Sequence, residues 1–235
     1  MFNGTSSSVV ATMVDFEFPG SIGFWMYPTN VANATRQFMT MKRFGVSINM
    51  ISSNIVFGGV SANIGFTATP LNNVWQHVGA TSDGTNVKCY YNGVPSGTGS
   101  DSGSWVTGGV NVMIGVYQSF NTNWYAGALA DVAWWQKVLN PAEWQALASG
   151  VRPNKISPQN LKMYYKLKLD EMAGLQYAQA VNLTGGTGAN VVGWPDPPQI
   201  KPITFPGQSS IVVFRGPPPP PPPPLTASGF TWQEW

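Results

Sequence analysis

Charged side chains are scarce in this chain. Asp, Glu, Lys and Arg make up 9% of 235 residues, against roughly 25% in an ordinary globular domain. The surface must therefore be built from Ser, Thr, Asn, Gln and Gly with aromatics among them, a composition that repels neighbours weakly and tolerates close contact with other protein. Twelve basic and ten acidic residues leave a net charge of +2, and no Lys/Arg run stands out. That excludes nucleic-acid binding through a basic footprint. Cys89 is the only cysteine and His77 the only histidine. A disulfide framework, a Cys-rich metal site and a His-cluster zinc site are all excluded. No apolar run of about 18 residues offers a membrane helix. The start, Met1-Phe2-Asn3-Gly4-Thr5, has neither a basic region nor an apolar run, so the expectation is a protein made in the cytoplasm without a secretion signal. Asn-x-Ser/Thr sites at Asn3, Asn33 and Asn182 are what chance gives in a chain rich in Asn and Thr.

Short apolar segments are plentiful. They fall at 8–14, 21–27, 36–41, 45–50, 54–58, 62–67, 74–81, 86–91, 110–116, 126–135 and 161–167. A spacing of about 8–12 residues is the rhythm of a β-sandwich or barrel. Asp83-Gly84 and Asn92-Gly93 are strong turn signals between them. The segment 127–150 is the most informative. Val132 and Trp134, with Leu129, alternate with smaller or polar residues as a half-buried strand requires. A helix over about 140–149 follows: Asn140 caps it, Pro141 suits the first position, Glu143 completes a capping box and Gly150 closes the far end.

The order of motifs carries more than any one of them. Trp75-Gln76-His77-Val78 leads through the Asp83-Gly84 turn to Tyr91-Asn92-Gly93. A Gly/Ser-rich loop follows, then Ile114-Gly115, an aromatic loop, and Gly127-x-x-x-Asp131-Val132 ahead of Leu139-Asn140-x-x-Glu143. Together with Ser21 to Pro28 near the start, this resembles the laminin-G-like jelly-roll family of the concanavalin A-like lectin/glucanase fold, over about residues 1–170. The resemblance implies an all-β, two-sheet antiparallel jelly-roll sandwich with one short helix. The fold hosts lectins, adhesion modules, enzymes and virion proteins, so it does not by itself name a function.

Glucanases of this fold use a Glu-x-Asp-x-x-Glu strand, because hydrolysis needs two carboxylates about 5–10 Å apart. Nothing here matches. Asp15 and Glu17 lack a third acid, and Asp170 and Glu171 would point to opposite strand faces. No catalytic residue is expected, and the chain reads as a non-enzyme. His77 is expected as a packed strand residue and Cys89 as an inert buried thiol. Asp83 reads as a turn residue. No cofactor is required. The family's frequent rim calcium would use Asp131, set against the alternative that its carboxylate only bonds the fold. Sugar recognition would need aromatic platforms beside amides. Tyr117, Phe120, Trp124 and Tyr125 supply them in one Asn- and Gln-rich loop, with Trp105 upstream.

From about 171 the composition shifts. Residues 171–216 read as an extended wrap with an added strand near 210–214. Pro217 to Pro224 are eight consecutive prolines, a polyproline II spacer of roughly 25 Å. Residues 225–235 end it with Phe230, Trp232 and Trp235, which read as an aromatic anchor on a protein partner. The leading functional expectation is accordingly a virion component: a capsid decoration or cement protein, homotrimeric, holding the major capsid protein or other virion subunits of a tailed phage. The alternative is a carbohydrate-binding, lectin-like or adhesin module that uses the aromatic loop.

Overall fold

A computed structural model describes residues 2–3, 9–13, 18–31, 36–41, 47–51, 54–58, 62–101, 110–115, 124–167 and 183–185. All of them lie in a compact unit, Met1–Gln199. The C-terminal segment 217–235 lies outside the described residues.

The described strands are β1 (Phe2–Asn3), β2 (Val9–Met13), β3 (Gly20–Pro28), β4 (Arg36–Met41), β5 (Ser47–Ile51), β6 (Asn54–Gly58), β7 (Asn63–Gly65), β8 (Gln76–Ser82), β9 (Asn86–Tyr91), β10 (Val94–Ser100), β11 (Val110–Ile114), β12 (Ala126–Trp135), β13 (Leu161–Tyr165) and β14 (Leu183–Gly185), with a helix α1 (Pro141–Ala148) after β12. They form two seven-stranded sheets. Sheet A runs β1-β12-β3-β8-β9-β10, with β13 also on β12; sheet B runs β14-β2-β11-β4-β5-β6-β7. Every pairing is antiparallel.

Alternation puts one set of side chains between the sheets. Phe24, Met26, Val78, Val87, Cys89 and Trp134 of sheet A meet Phe38, Ile48, Ile55, Phe57, Val112 and Ile114 of sheet B. Leu129 and Val132 both join this core although they stand three positions apart, an odd spacing that regular alternation would put on opposite faces. The reason is a bulge: the β12–β3 register shifts between Ala130 and Ala133, and Asp131 takes φ 51°. One residue in the left-handed region re-phases the strand.

The other face of sheet A is not left to solvent. Tyr90, Ala133 and Trp135 build a second cluster there with Leu139, Trp144 and Leu147 from α1 and its approach. The helix forms as its sequence predicts. Asn140 accepts from the Glu143 N–H at 3.0 Å, and Glu143 accepts from the Asn140 N–H at 2.8 Å. At its far end the Gly150 N–H bonds Leu147 O at 2.9 Å and the Val151 N–H bonds Ala146 O at 3.0 Å, with Gly150 at φ 94°. Those two bonds satisfy carbonyls that a helix end otherwise leaves open.

Two strands, β10 and β14, depart from the sequence reading, whereas β1 falls where the resemblance places a first strand, at Phe2-Asn3-Gly4. The Gly/Ser-rich stretch after Asn92-Gly93 is a strand, β10, not a loop. Its partner β9 is reached by a two-residue turn with Asn92 at φ 49° and Gly93 at φ 79°, the twist-matched hairpin geometry. Its glycines are required by crowding: a Cβ on Gly99 would lie 2.7 Å from Ile64 Cγ1. β1 pairs Phe2 with Gly127, and β14, within the stretch read as a wrap, pairs with β2. The sheets also join along one flank. The Thr67 N–H donates to Ser96 O at 3.0 Å and the Ala68 N–H to Ser96 Oγ at 3.1 Å.

Candidate functional site: the loop end of the sandwich

At one end of sheet A three segments converge. The end of β3 (Tyr27-Pro28) is bonded to the loop before β8 by the Asn73 N–H donating to Pro28 O at 2.7 Å, and to the start of β12 by the Thr29 N–H donating to Ala126 O at 3.1 Å. The loop before β8 is held from beneath by one side chain. Gln76 is buried, and its amide is fully used. Its Oε1 accepts the Leu71 N–H at 2.8 Å, its Nε2 donates to Leu71 O at 2.7 Å and Val74 O at 2.8 Å, and the Tyr91 hydroxyl donates to the same Oε1. Burial pushes the Tyr91 phenol up to about 12, so it stays a donor.

This brace lifts apolar groups into solvent. Leu71 is 56% exposed and Val74 46%. The half-buried Trp75 stands beside Tyr27, ring centroids 5.5 Å apart. Asn30, Asn72 and Asn73 are exposed around them. Aromatic and aliphatic surface flanked by amides is what stacking and hydrogen bonding to a sugar ring require.

The sequence candidates distribute unevenly. Trp124 is half-buried at this same end, two residues before Ala126. Tyr125 is a correction: it is 1% exposed, its ring packs 4.9 Å from Phe38, and its hydroxyl donates to Ala128 O at 3.2 Å. It is part of the core and offers no platform, because it begins the inward alternation of β12. Trp105, Tyr117 and Phe120 lie outside the described residues, as do Pro217, Pro224, Phe230, Trp232 and Trp235, and Asp15, Glu17, Asp170 and Glu171. Sequence reading missed Tyr27, Leu71, Val74 and Trp75. Asn72-Asn73, a turn dipeptide between two apolar residues, was the signal available.

Asp131 does not fit a calcium site. Its carboxylate is 5% exposed, and Oδ1 accepts the Tyr164 hydroxyl at 2.7 Å and Arg152 Nη1 at 3.2 Å. Burial, reinforced by the neighbouring Asp131 charge, pushes the Tyr164 phenol far up, which keeps it a donor. The pair locks the β12 bulge to β13. Among the described residues no three His, Cys, Asp or Glu gather as a metal would need.

Two other acids are equally committed. Glu143 holds Lys137 Nζ at 2.5 Å and Ser157 Oγ at 2.6 Å. Desolvation raises its pKa, but the bonds from Lys137, Ser157 and Asn140 outweigh it and hold the carboxyl below its usual range. Asp83 accepts the Thr85 and Asn86 amides at 2.8 and 2.7 Å, a turn residue as expected, and those bonds lower its pKa. His77 is packed between Trp25 and Trp144, ring centroids 5.3 and 5.9 Å away, and Nδ1 has no hydrogen-bond partner. Burial lowers its pKa to about 3, so the ring is neutral. Cys89 is free and buried, and burial pushes its thiol up to about 12, the inert state expected of it.

Comparison with known proteins supports this architecture. A model of the "Concanavalin A-like lectin/glucanases superfamily" matches residues 3–144. No curated protein matches the sequence. Among solved structures, a native heptameric SAP-like pentraxin from Limulus polyphemus superposes with a TM-score of 0.53 at 18% identity, covering 79% of this chain and 92% of its own. A putative carbohydrate binding protein from Bacteroides ovatus superposes with a TM-score of 0.56 at 14% identity, covering 77% of this chain and 58% of its own. At these identities the likeness is one of fold, and it lends the capsid-decoration expectation no support. With the family match spanning β1 to the first turn of α1, two antiparallel sheets in jelly-roll order and a capped helix sealing one of them, the chain belongs to the concanavalin A-like lectin/glucanases superfamily.

Proposed function

We propose that the chain is a non-catalytic carbohydrate-binding module that engages glycans at the loop end of the sandwich. The observation that carries this reading is the Gln76-braced display of Leu71 and Val74 beside the Trp75–Tyr27 ring pair, with Asn72 and Asn73 alongside. A site braced by buried hydrogen bonds is preorganised, so little binding energy is lost to ordering it. The Bacteroides ovatus relative, named as a putative carbohydrate binding protein, supports the direction of the reading. Three of the described acids, Asp131, Glu143 and Asp83, are held in structural bonds, which supports reading the module as non-catalytic.

A glycan array probed with the full chain tests it. Binding of at least one glycan family is expected, and Trp75→Ala and Trp124→Ala should each weaken it about tenfold or more, the loss expected when a stacked aromatic worth roughly 1.5 kcal/mol is removed. A folded wild-type chain that binds no glycan sinks the reading.

A further inference from the structure

We infer that Asn92 is a specificity-determining residue of the candidate surface, its Nδ2 the fixed donor to one oxygen of the bound sugar; the inference rests on the carbohydrate-binding reading above and deepens it. Alternation sets the face. Met26 and Val78 point into the core between the sheets, so Tyr27 and Trp75, each an odd number of positions away, stand on the outer side of sheet A. Register then ranks the side chains. Trp25 faces His77 across the β3–β8 pair. One step further out Tyr27 stands beside Trp75, 5.5 Å between ring centroids. Asn92 belongs to the His77 rank on the next strand over: Val78 pairs with Tyr91, and the Asn92 N–H donates to His77 O at 2.7 Å. That makes Asn92 a diagonal neighbour of Trp75, with roughly 7–8 Å between Cα atoms. A sugar lying on the indole is within reach of it.

The Asn92 carboxamide is held by one end. The His77 N–H donates to its Oδ1 at 2.8 Å, so the oxygen is the bonded atom and the nitrogen the outward one, a donor with two protons. Asn92 is exposed, and its Nδ2 has no acceptor among the described residues. Such a group meets a hydroxyl or ring oxygen already ordered, without the cost of immobilising a side chain on binding. The space beside it is walled. A Cβ on Gly93 would lie 2.9 Å from Gln145 Cα and 3.0 Å from Ala148 Cβ, so the last turn of α1 stands against the Asn92-Gly93 turn and limits where substituents of that sugar can go. The turn by itself does not call for asparagine. At φ 49° Asp and Gly serve as well, and of the three only Asn presents a side-chain N–H.

The test is one glycan array, printed with neutral and acidic saccharides and probed with the full chain as wild type, Trp75→Ala, Asn92→Asp and Asn92→Gly. Asn92→Asp keeps an oxygen for the His77 N–H and turns the outward donor into an acceptor, so its Tm should stay within about 2 °C of wild type. If it melts lower than that, the Asn92→Gly profile decides alone. Trp75→Ala is expected to lower all bound glycans alike, because stacking on a C–H face is common to them. Both Asn92 variants are expected to reorder them, some falling about tenfold or more and others little, as the loss of one hydrogen bond to one oxygen requires. A profile that stays within about twofold of wild type, or falls uniformly as in Trp75→Ala, overturns the inference and leaves the carbohydrate-binding reading standing. A blank array for the folded wild type overturns both.

Discussion

The Trp144 ring occupies the space that a side chain on Gly79 would need. A Cβ built on Gly79 lies 2.2 Å from Trp144 Cζ3 and 2.7 Å from Ile22 O, and one on Gly23 lies 2.8 Å from the same ring carbon. The two glycines face each other across the β3–β8 pair, so together they open a window in sheet A that the indole fills while stacking on Tyr90 at 5.0 Å.

Gly79→Ala should therefore destabilise by about 1–3 kcal/mol through overpacking, with the upper end favoured because Ile22 O is backbone and cannot step aside. Trp144→Ala should cost about 3–5 kcal/mol. The double variant should lose less than the sum, since the indole that clashes is gone. Urea unfolding of the four proteins measures this; strict additivity would show that the window and the indole are energetically independent.

Acid should weaken the fold from a window set by His77. In the unfolded chain this ring takes a proton below pH 6.5, whereas in the folded protein burial delays protonation to about pH 3. The stability tied to the neutral ring is thus complete above pH 6.5 and is lost as pH falls from 6.5 towards 3, by about 1.4 kcal/mol per unit. His77 is the only histidine, so between pH 6.5 and 5 its contribution stands apart from the carboxylates. His77→Phe should flatten the slope of unfolding free energy there; an unchanged slope would refute the assignment.

Glu143 should matter twice over. Its carboxylate closes the capping box with Asn140 and holds Lys137 and Ser157. Asn140→Ala, which removes only the cap, should cost about 1 kcal/mol, and Glu143→Ala somewhat more. Because the folded pKa of Glu143 lies below its usual value, its share of stability is present above that value and fades on further acidification. Thermal melts at pH 7 and pH 3 should show Glu143→Ala closing on wild type at the lower pH.

Asp131→Ala should leave Arg152 and the Tyr164 hydroxyl without their acceptor. Breaking a buried pair costs about 3–5 kcal/mol, discounted here because the Arg152 side chain is 29% exposed. Asp131→Asn keeps the residue type that tolerates a positive φ and should cost less. Ending the chain at residue 144, where the family match stops, removes Arg152, β13 and the second half of α1; that fragment should lack the sharp amide NMR dispersion of the full chain.

Much of the frame was legible beforehand because its signals are local. Asn140, Pro141, Glu143 and Gly150 act within one helix, and Asn92-Gly93 within one turn, so residue identity alone carries them. β10 was missed because its glycines answer to partners distant in sequence: Gly99 makes room for Ile64, and Gly97, at φ 124°, for Gly65 O. The candidate surface divides the same way. Aromatic content near 117–125 drew attention to Trp124, which stands two residues before the start of β12. Which rings face outward depends on strand phase, and phase turned Tyr125 inward while leaving Trp124 half-exposed. The role of Gln76 was invisible, since a glutamine that braces a loop reads in sequence like any other.

The helix decides the direction from which anything long can be met. α1 lies over the outer side of sheet A and reaches the β9–β10 turn, where a Cβ on Gly93 would stand 2.9 Å from Gln145 Cα. A polymer laid lengthwise across that sheet runs into the helix. One approached tip-first, or crossing the loops at right angles to the strands, does not. The outer side of sheet A is thereby closed to anything laid along its strands, a restriction set by a single indole seated in a gap between two glycines.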